Sequence, residues 1–230
     1  MSELIGIVGE SGTGKSTSCR TLNPKETAIV NCVGKPLPIK GWKKNYTPFH
    51  PKDSPNGNYY ASDIASDILK FLDYMNDKRP DVKNIVIDDW QYTMSNEFMR
   101  RSQESGWEKF TEIAKHAWQI LNKGKELRED LKVFILTHSD TQKGEFGKTD
   151  IIKIKTIGKL LDEKINPMGL FTILMFTVVQ QTEKDGIQYK FVTNNDGEYP
   201  AKSPMDMFEE LYIPNDLGAV SKAIDEYYGE

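Results

Sequence analysis

The stretch Ile5–Leu22, "IGIVGESGTGKSTSCRTL", decides how the rest of the chain is read. Gly9-Glu10-Ser11-Gly12-Thr13-Gly14-Lys15-Ser16 fits G-x-x-x-x-G-K-[ST] at every fixed position. Before it, Leu4–Val8 is a short apolar run of the kind that forms a buried parallel strand. After it, Ser16–Leu22 is expected to open a helix, ended by Asn23-Pro24. In such a loop the glycines let backbone N–H groups of Gly9–Lys15 turn inward around phosphates. The following helix points its positive end at the same place. Lys15 adds charge for the β- and γ-phosphates, the Ser16 hydroxyl suits Mg²⁺, and Thr17 reaches toward the α-phosphate. ATP with Mg²⁺ is the expected ligand pair.

Working outward, strands and helices alternate. Thr27–Val33 reads as a second strand, and Ile64, Ile68, Leu72 and Met75 recur at helical spacing before Pro80. Asn84–Ile87 is a third strand, followed by helical stretches over Tyr92–Arg101 and Trp107–Glu129. Val133–Leu136 is a fourth strand, Lys153–Thr156 a short one, and Ile157–Ile165 a short helix. Phe171–Gln181 and Ile187–Asn194 flank Asp185-Gly186 as a β-hairpin, and Leu217–Tyr228 closes the chain as a helix. This alternation predicts one α/β domain over residues 1–230, a mostly parallel sheet flanked by helices with a late hairpin.

The 230 residues suffice for one sizeable core, and 38% hydrophobic with 28% charged residues fits a globular protein. The longest apolar run, Leu170–Val179, is interrupted by threonines, so no membrane span or membrane partner is expected. The acidic start predicts no leader peptide. Two cysteines, Cys19 and Cys32, make no disulfide framework, and a reduced cytoplasmic location is the simplest expectation. A net charge of −4 argues against a surface coated for duplex DNA, though not against a local basic groove.

"NIVIDDWQ" supplies a carboxylate strand. Asp88 at its tip is placed to hold Mg²⁺ beside Ser16. Asp89 next to it is either the group that orients and deprotonates an attacking water or a helix N-cap. "VFILTHSD" ends a further strand at Thr137-His138, where His138 is a candidate γ-phosphate sensor. In "KTDIIKIK", Lys153 and Lys155 fall on one face of a strand. They are either cations reaching a nucleotide on a neighbouring subunit or a solvated face. The segment from Gly34 to Lys52 carries Lys35, Lys40, Lys43, Lys44 and Lys52 with Trp42, Tyr46 and Phe49 interleaved, and no acidic residue. Cations with interleaved aromatics compose a single-strand binding surface. A lid over the nucleotide and a plain solvated loop are the other two readings of that segment.

"GESGTGKST", "IVIDDWQYTMSNEFMRR", "ILTHSD", "IKTIGKLLDEKI" followed by "GLFTILMFT", and "SPMDMFEELYIPNDL" occur in this order in a family of phage nucleotide-binding proteins. The chain resembles that family, whose members have a shortened RecA-like P-loop ATPase core and include single-strand annealing proteins of phage recombination. The resemblance implies a RecA-like fold, ATP and Mg²⁺, self-association into a ring or filament, and single-stranded DNA as partner. A phage protein of this kind would work in the bacterial host cytoplasm. The resemblance carries phosphate-loop roles to Gly9–Thr17, the metal role to Asp88 and the polar strand tip to His138. The chain departs from full-length RecA at the second strand tip, where "VNCVGK" stands in place of a catalytic Glu.

The expected function is thus a Mg²⁺-dependent, DNA-stimulated ATPase that binds single-stranded DNA and promotes annealing. Two alternatives remain: a P-loop small-molecule or nucleotide kinase, for which Arg is scarce and no Arg-rich lid is visible, and a nucleotide switch that recruits proteins.

Overall fold

A computed structural model describes residues 1–142, 151–157, 166–182 and 186–229. The first strand, β1 (Glu3–Gly9), runs directly into the Gly-rich loop. β2 (Thr27–Asn31), β3 (Tyr59–Ala61), β4 (Asn84–Asp88), β5 (Lys132–Gln142), β6 (Ile151–Ile154), β7 (Ile173–Thr182), β8 (Gly186–Val192) and β9 (Tyr212–Pro214) follow. The helices are α1 (Trp42–Asn45), α2 (Ala65–Lys78), α3 (Gln91–Arg100), α4 (Glu108–Lys125) and α5 (Leu217–Tyr228).

The strands form one sheet in the order β3-β2-β4-β5-β1-β7-β8-β9, with β6 paired to the far part of β5. From β3 to β7 every neighbouring pair is parallel; β8 and β9 add on antiparallel. β5 lies between the loop strand β1 and the carboxylate strand β4. This mostly parallel α/β sheet with a late antiparallel hairpin is the architecture that the alternation of strands and helices predicts.

Strand alternation splits the core in two. Leu4 and Val8 of β1, Ile85 and Ile87 of β4, and Val133 and Ile135 of β5 pack under α2, α3 and α4. Ile5, Ile7, Val86, Phe134 and Leu136 face the other way, against α5 and the segment after the loop. Both faces are apolar because helices cover both, which is why these strands read as continuous hydrophobic runs. Cys19 and Cys32 are buried thiols in opposite halves of this core.

Four local expectations change. The segment after the loop, Ser16–Thr21, is a short 3₁₀ helix and not an α-helix. β5 continues past Leu136 to Gln142, because polar residues 139–142 leave the main sheet to pair with β6. β6 ends at Ile154, so Lys155 lies just beyond it. β3 and β9 are three-residue strands, too short to show a period. Most of the expected helix Ile157–Ile165, and Asp185 of the hairpin turn, lie outside the described residues.

Candidate nucleotide site

The parallel register brings three strand ends together. Gly9 at the end of β1 is level with His138 on β5, and Asp88 ends β4 one strand further out. Ligands of open parallel α/β sheets bind in the crevice beyond such carboxyl ends. Here that edge carries a cleft of about 370 Å³ lined by loop residues Ser11, Gly12 and Gly14–Thr17, by Lys35, Pro36, Pro38, Asp89 and His138, and by Tyr189 and Asn215.

Close packing dictates the loop's first and third glycines. A Cβ on Gly9 would lie 1.8 Å from Thr177 Oγ1 on β7. Gly14 has φ +93°, and a Cβ there would approach Tyr189 and Asn215 within 3.3 Å. Thr13 bonds both Glu10 O (2.7 Å) and Thr177 Oγ1 (2.5 Å), tying the loop crown to β7. Lys15 Nζ donates to the carbonyls of Gly9 (2.8 Å) and Glu10 (2.7 Å), so its charge rests inside the loop it closes. Burial pushes its pKa down to about 8 against the opposing pull of Asp89 and Asp88. With only a 3₁₀ turn behind it, the loop offers an anion its own N–H groups and Lys15 more than a helix dipole.

The two carboxylates differ sharply. Asp88 is buried; Ser16 Oγ donates to its Oδ1 at 2.8 Å, while Oδ2 has no partner among the described residues. Burial, and then the Asp89 charge, raise its pKa to about 6. Asp89 takes the left-handed conformation, φ +61°, which few non-Gly residues adopt. The turn is clamped by Trp90 N–H to Leu136 O (3.0 Å), which presents the Asp89 carboxylate to the cleft. Lys35 Nζ lies 2.6 Å from its Oδ2 and His138 Nε2 3.4 Å from its Oδ1. Burial works to raise Asp89, but hydrogen bonds and charge from His138 and Lys35 outweigh it and hold the carboxyl at about 2.

An orphaned buried carboxylate oxygen beside a hydroxyl is a donor set suited to a hard divalent cation. Ser16 and Asp88 therefore fit Mg²⁺, as the sequence suggests.

Three residues not singled out from the sequence organise the site. Gln91 Oε1 accepts from Thr137 Oγ1 (3.1 Å) and from the His138 backbone N–H (3.2 Å), fixing the β5 tip. Asn31, at the tip of β2, accepts from Gly34 N–H (2.8 Å) and donates to Lys35 O (2.6 Å) and Tyr59 Oη (3.0 Å). It shapes the start of the basic segment. Asn215 is the third. Hydrogen-bonding amides after a strand or before a helix carry no periodic signal, so only the pairing of elements reveals them.

The basic segment divides. Lys35 belongs to the nucleotide cleft through its Asp89 pair. Lys40, Lys43 and Lys44 are exposed, with Lys43 Nζ 5.8 Å from the Trp42 ring centroid. Trp42 is half-buried against Tyr59, ring centroids 5.2 Å apart. Tyr46 corrects the expectation of a base-stacking surface: it is buried beside the core face that holds Cys19 and Leu37, so no ring face is available to a base. Phe49 is buried likewise. Lys153 pairs with Asp140 in the β5–β6 register, and the backbone N–H of the exposed Lys155 donates to His138 O at 2.8 Å. Both thus stand on the hairpin that carries His138.

Among solved structures, a KaiC-like protein from the hyperthermophilic archaeon Pyrococcus horikoshii OT3 is similar, with a TM-score of 0.43 and 10% identity, over 84% of this chain and 78% of that chain. No curated protein matches the sequence. Residues 3–205 match the family described as an AAA domain. That span runs from β1 through the loop, the Asp88-Asp89 turn and the His138 tip to the β7–β8 hairpin. The chain belongs to this family of P-loop ATPase domains.

Proposed function

We propose that this AAA domain is a Mg²⁺-dependent ATPase whose nucleotide state controls its grip on single-stranded DNA, and that it promotes annealing in phage recombination. The observation that carries the coupling is the Lys35–Asp89 pair, which ties the basic segment to the nucleotide cleft. Lys35 stands five residues before Lys40 and shares a short segment with Lys43 and Lys44. A γ-phosphate entering beside Lys15 and His138 brings negative charge to the place where Asp89 now holds Lys35. Lys35 then has two anionic partners to choose between, and the segment behind it shifts with that choice.

Ser16 and Asp88 would hold Mg²⁺, which neutralises phosphate charge when bound. Lys15 supplies the fixed cation at the phosphates. Asp89 orients the attacking water. Held at about 2 by its two partners it is a weak base, so hydrolysis is slow until Lys35 lets go. His138 contacts the terminal phosphate and reports its loss through Gln91 and β5. Self-association into a ring or filament would bring Lys153 and Lys155 of one copy toward the cleft of the next.

The test measures ATP turnover with and without single-stranded DNA, and DNA affinity with ATP, ADP or no nucleotide. DNA should raise turnover, ATP should change DNA affinity, and Lys15→Ala should abolish both effects. If neither ligand affects the other, the coupling is wrong. Phosphorylated product from a nucleoside or nucleotide acceptor would instead establish a kinase.

A further inference from the structure

Asn215 lies between β9 and the Asp216 N-cap of α5, beyond the residues matched to the family. Its backbone is fully engaged: its N–H donates to Tyr189 O (3.1 Å), and its carbonyl accepts from Arg20 Nη1 (2.9 Å). Asn215 is only 3% exposed, yet among the described residues neither Oδ1 nor Nδ2 has a partner. A buried amide with both ends unsatisfied is costly and demands an explanation. The amide stands on the wall of the nucleotide cleft against Gly14, where a Cβ would lie 3.3 Å from both of its polar atoms. Tyr189 stands beside it, its Cδ1 3.2 Å from the same point and its side chain nearly half exposed.

The cleft therefore has two unlike groups of residues. Lys15 and Lys35 supply positive charge for phosphates, with Asp89 and His138 beside them. Tyr189 and Asn215 supply an aromatic face and an uncharged donor–acceptor pair, the chemistry of a nucleobase site. We propose that Tyr189 and Asn215 form the base subsite of this cleft and select adenine. Tyr189 packs on the base. Asn215 Oδ1 accepts from the exocyclic N6 amino group and Nδ2 donates to N7. Guanine offers acceptors at both O6 and N7, which leaves Oδ1 facing an acceptor. This inference rests on the cleft being a nucleotide site.

The experiment is a calorimetric comparison of ATP, GTP and inorganic triphosphate, the last carrying no base, on the full chain with Mg²⁺. The wild type should prefer ATP over GTP by at least about tenfold, the discrimination expected of one bidentate amide–base pair. Asn215→Ala should remove that preference by weakening ATP alone, with triphosphate binding unchanged. Tyr189→Leu should weaken both nucleotides and spare triphosphate. Asn215→Leu, which fills about the same space with neither donor nor acceptor, should also lose ATP preference and serves if the alanine variant does not fold. Equal affinity of the wild type for ATP and GTP, or an unchanged ratio in both Asn215 variants, overturns the subsite. If triphosphate binding survives Lys15→Ala undiminished, it is the reading of the cleft itself that fails.

Discussion

Lys35 Nζ and Asp89 Oδ2 stand 2.6 Å apart, linking the first residues of the basic segment to the turn that ends the carboxylate strand. Lys35 is half exposed and Asp89 almost fully buried, so the pair joins the surface to the wall of the cleft. Against the cost of burial, the Asp89 hydrogen bond holds Lys35 above the ordinary lysine pKa. Lys35→Ala should free the segment Gly34–Asn58 and leave DNA affinity the same with ATP, ADP or neither. Fluorescence anisotropy with a labelled oligonucleotide measures this, and a persisting ATP effect would show that the signal runs elsewhere.

The exposed lysines make a separate prediction. Replacing Lys40, Lys43 and Lys44 together with Gln should weaken single-strand binding without altering nucleotide affinity. The slope of log affinity against log salt should fall by about 0.7 for each phosphate that is no longer neutralised. An unchanged slope would move the DNA to another surface.

Asp88 predicts an opposition between stability and function. Burial and the Asp89 charge raise its pKa to about 6, above its ordinary value of 3.8. The folded state therefore binds this proton more tightly, so the contribution of Asp88 to stability is fully present below about 4 and is lost as pH rises through about 6. Asp88→Asn removes that loss. In metal-free urea titrations the variant should gain up to ~3 kcal/mol over the parent at pH 7.5 and little at pH 4. The same variant should lose the Mg²⁺ dependence of nucleotide binding. Equal stabilities at both pH values would mean that Asp88 is not desolvated.

Gly9 and Thr177 are expected to be energetically coupled. Gly9→Ala places a methyl 1.8 Å from Thr177 Oγ1 and 3.0 Å from Thr13 Oγ1. It should cost about 1–3 kcal/mol in an unfolding titration, as other overpacking changes do. Thr177→Ala in the same chain should restore part of that, because Thr177 Cβ itself would remain only 3.1 Å away. Strict additivity would contradict the close approach.

Gln91 holds the β5 tip through a single oxygen. Gln91→Leu leaves Thr137 Oγ1 and the His138 N–H without that acceptor, at a cost of about 1–3 kcal/mol for a buried donor. ATP turnover should fall with it, since His138 would no longer be aligned with Asp89. Turnover at the wild-type rate in a destabilised variant would separate the tip from the chemistry.

The local pattern carried the frame. "IGIVGESGTGKST" sets strand, loop and turn within a few residues, and "NIVIDD" places a carboxylate where an apolar strand must stop. Such features depend on neighbours in the chain, so periodicity and spacing reveal them. Composition misled at Tyr46: a lysine-rich, aromatic segment looked like a stacking surface, but its tyrosine packs inward, because sequence cannot say which aromatics face the core. β5 outruns its apolar stretch because its last residues are polar, and only pairing with β6 keeps them extended.

By itself, then, the sequence determined an α/β domain that presents a phosphate loop and two carboxylates from parallel strands. The tertiary structure alone decided which side chains meet them. Lys35 reaches Asp89 from 54 positions away, and Asn215 reaches Gly14 from the far end of the chain. Those meetings follow from the order of strands in the sheet, in which residues remote along the chain become neighbours at one edge. A pairing of that kind leaves no mark in local spacing, because the energy that fixes it comes from burying both faces of the whole sheet.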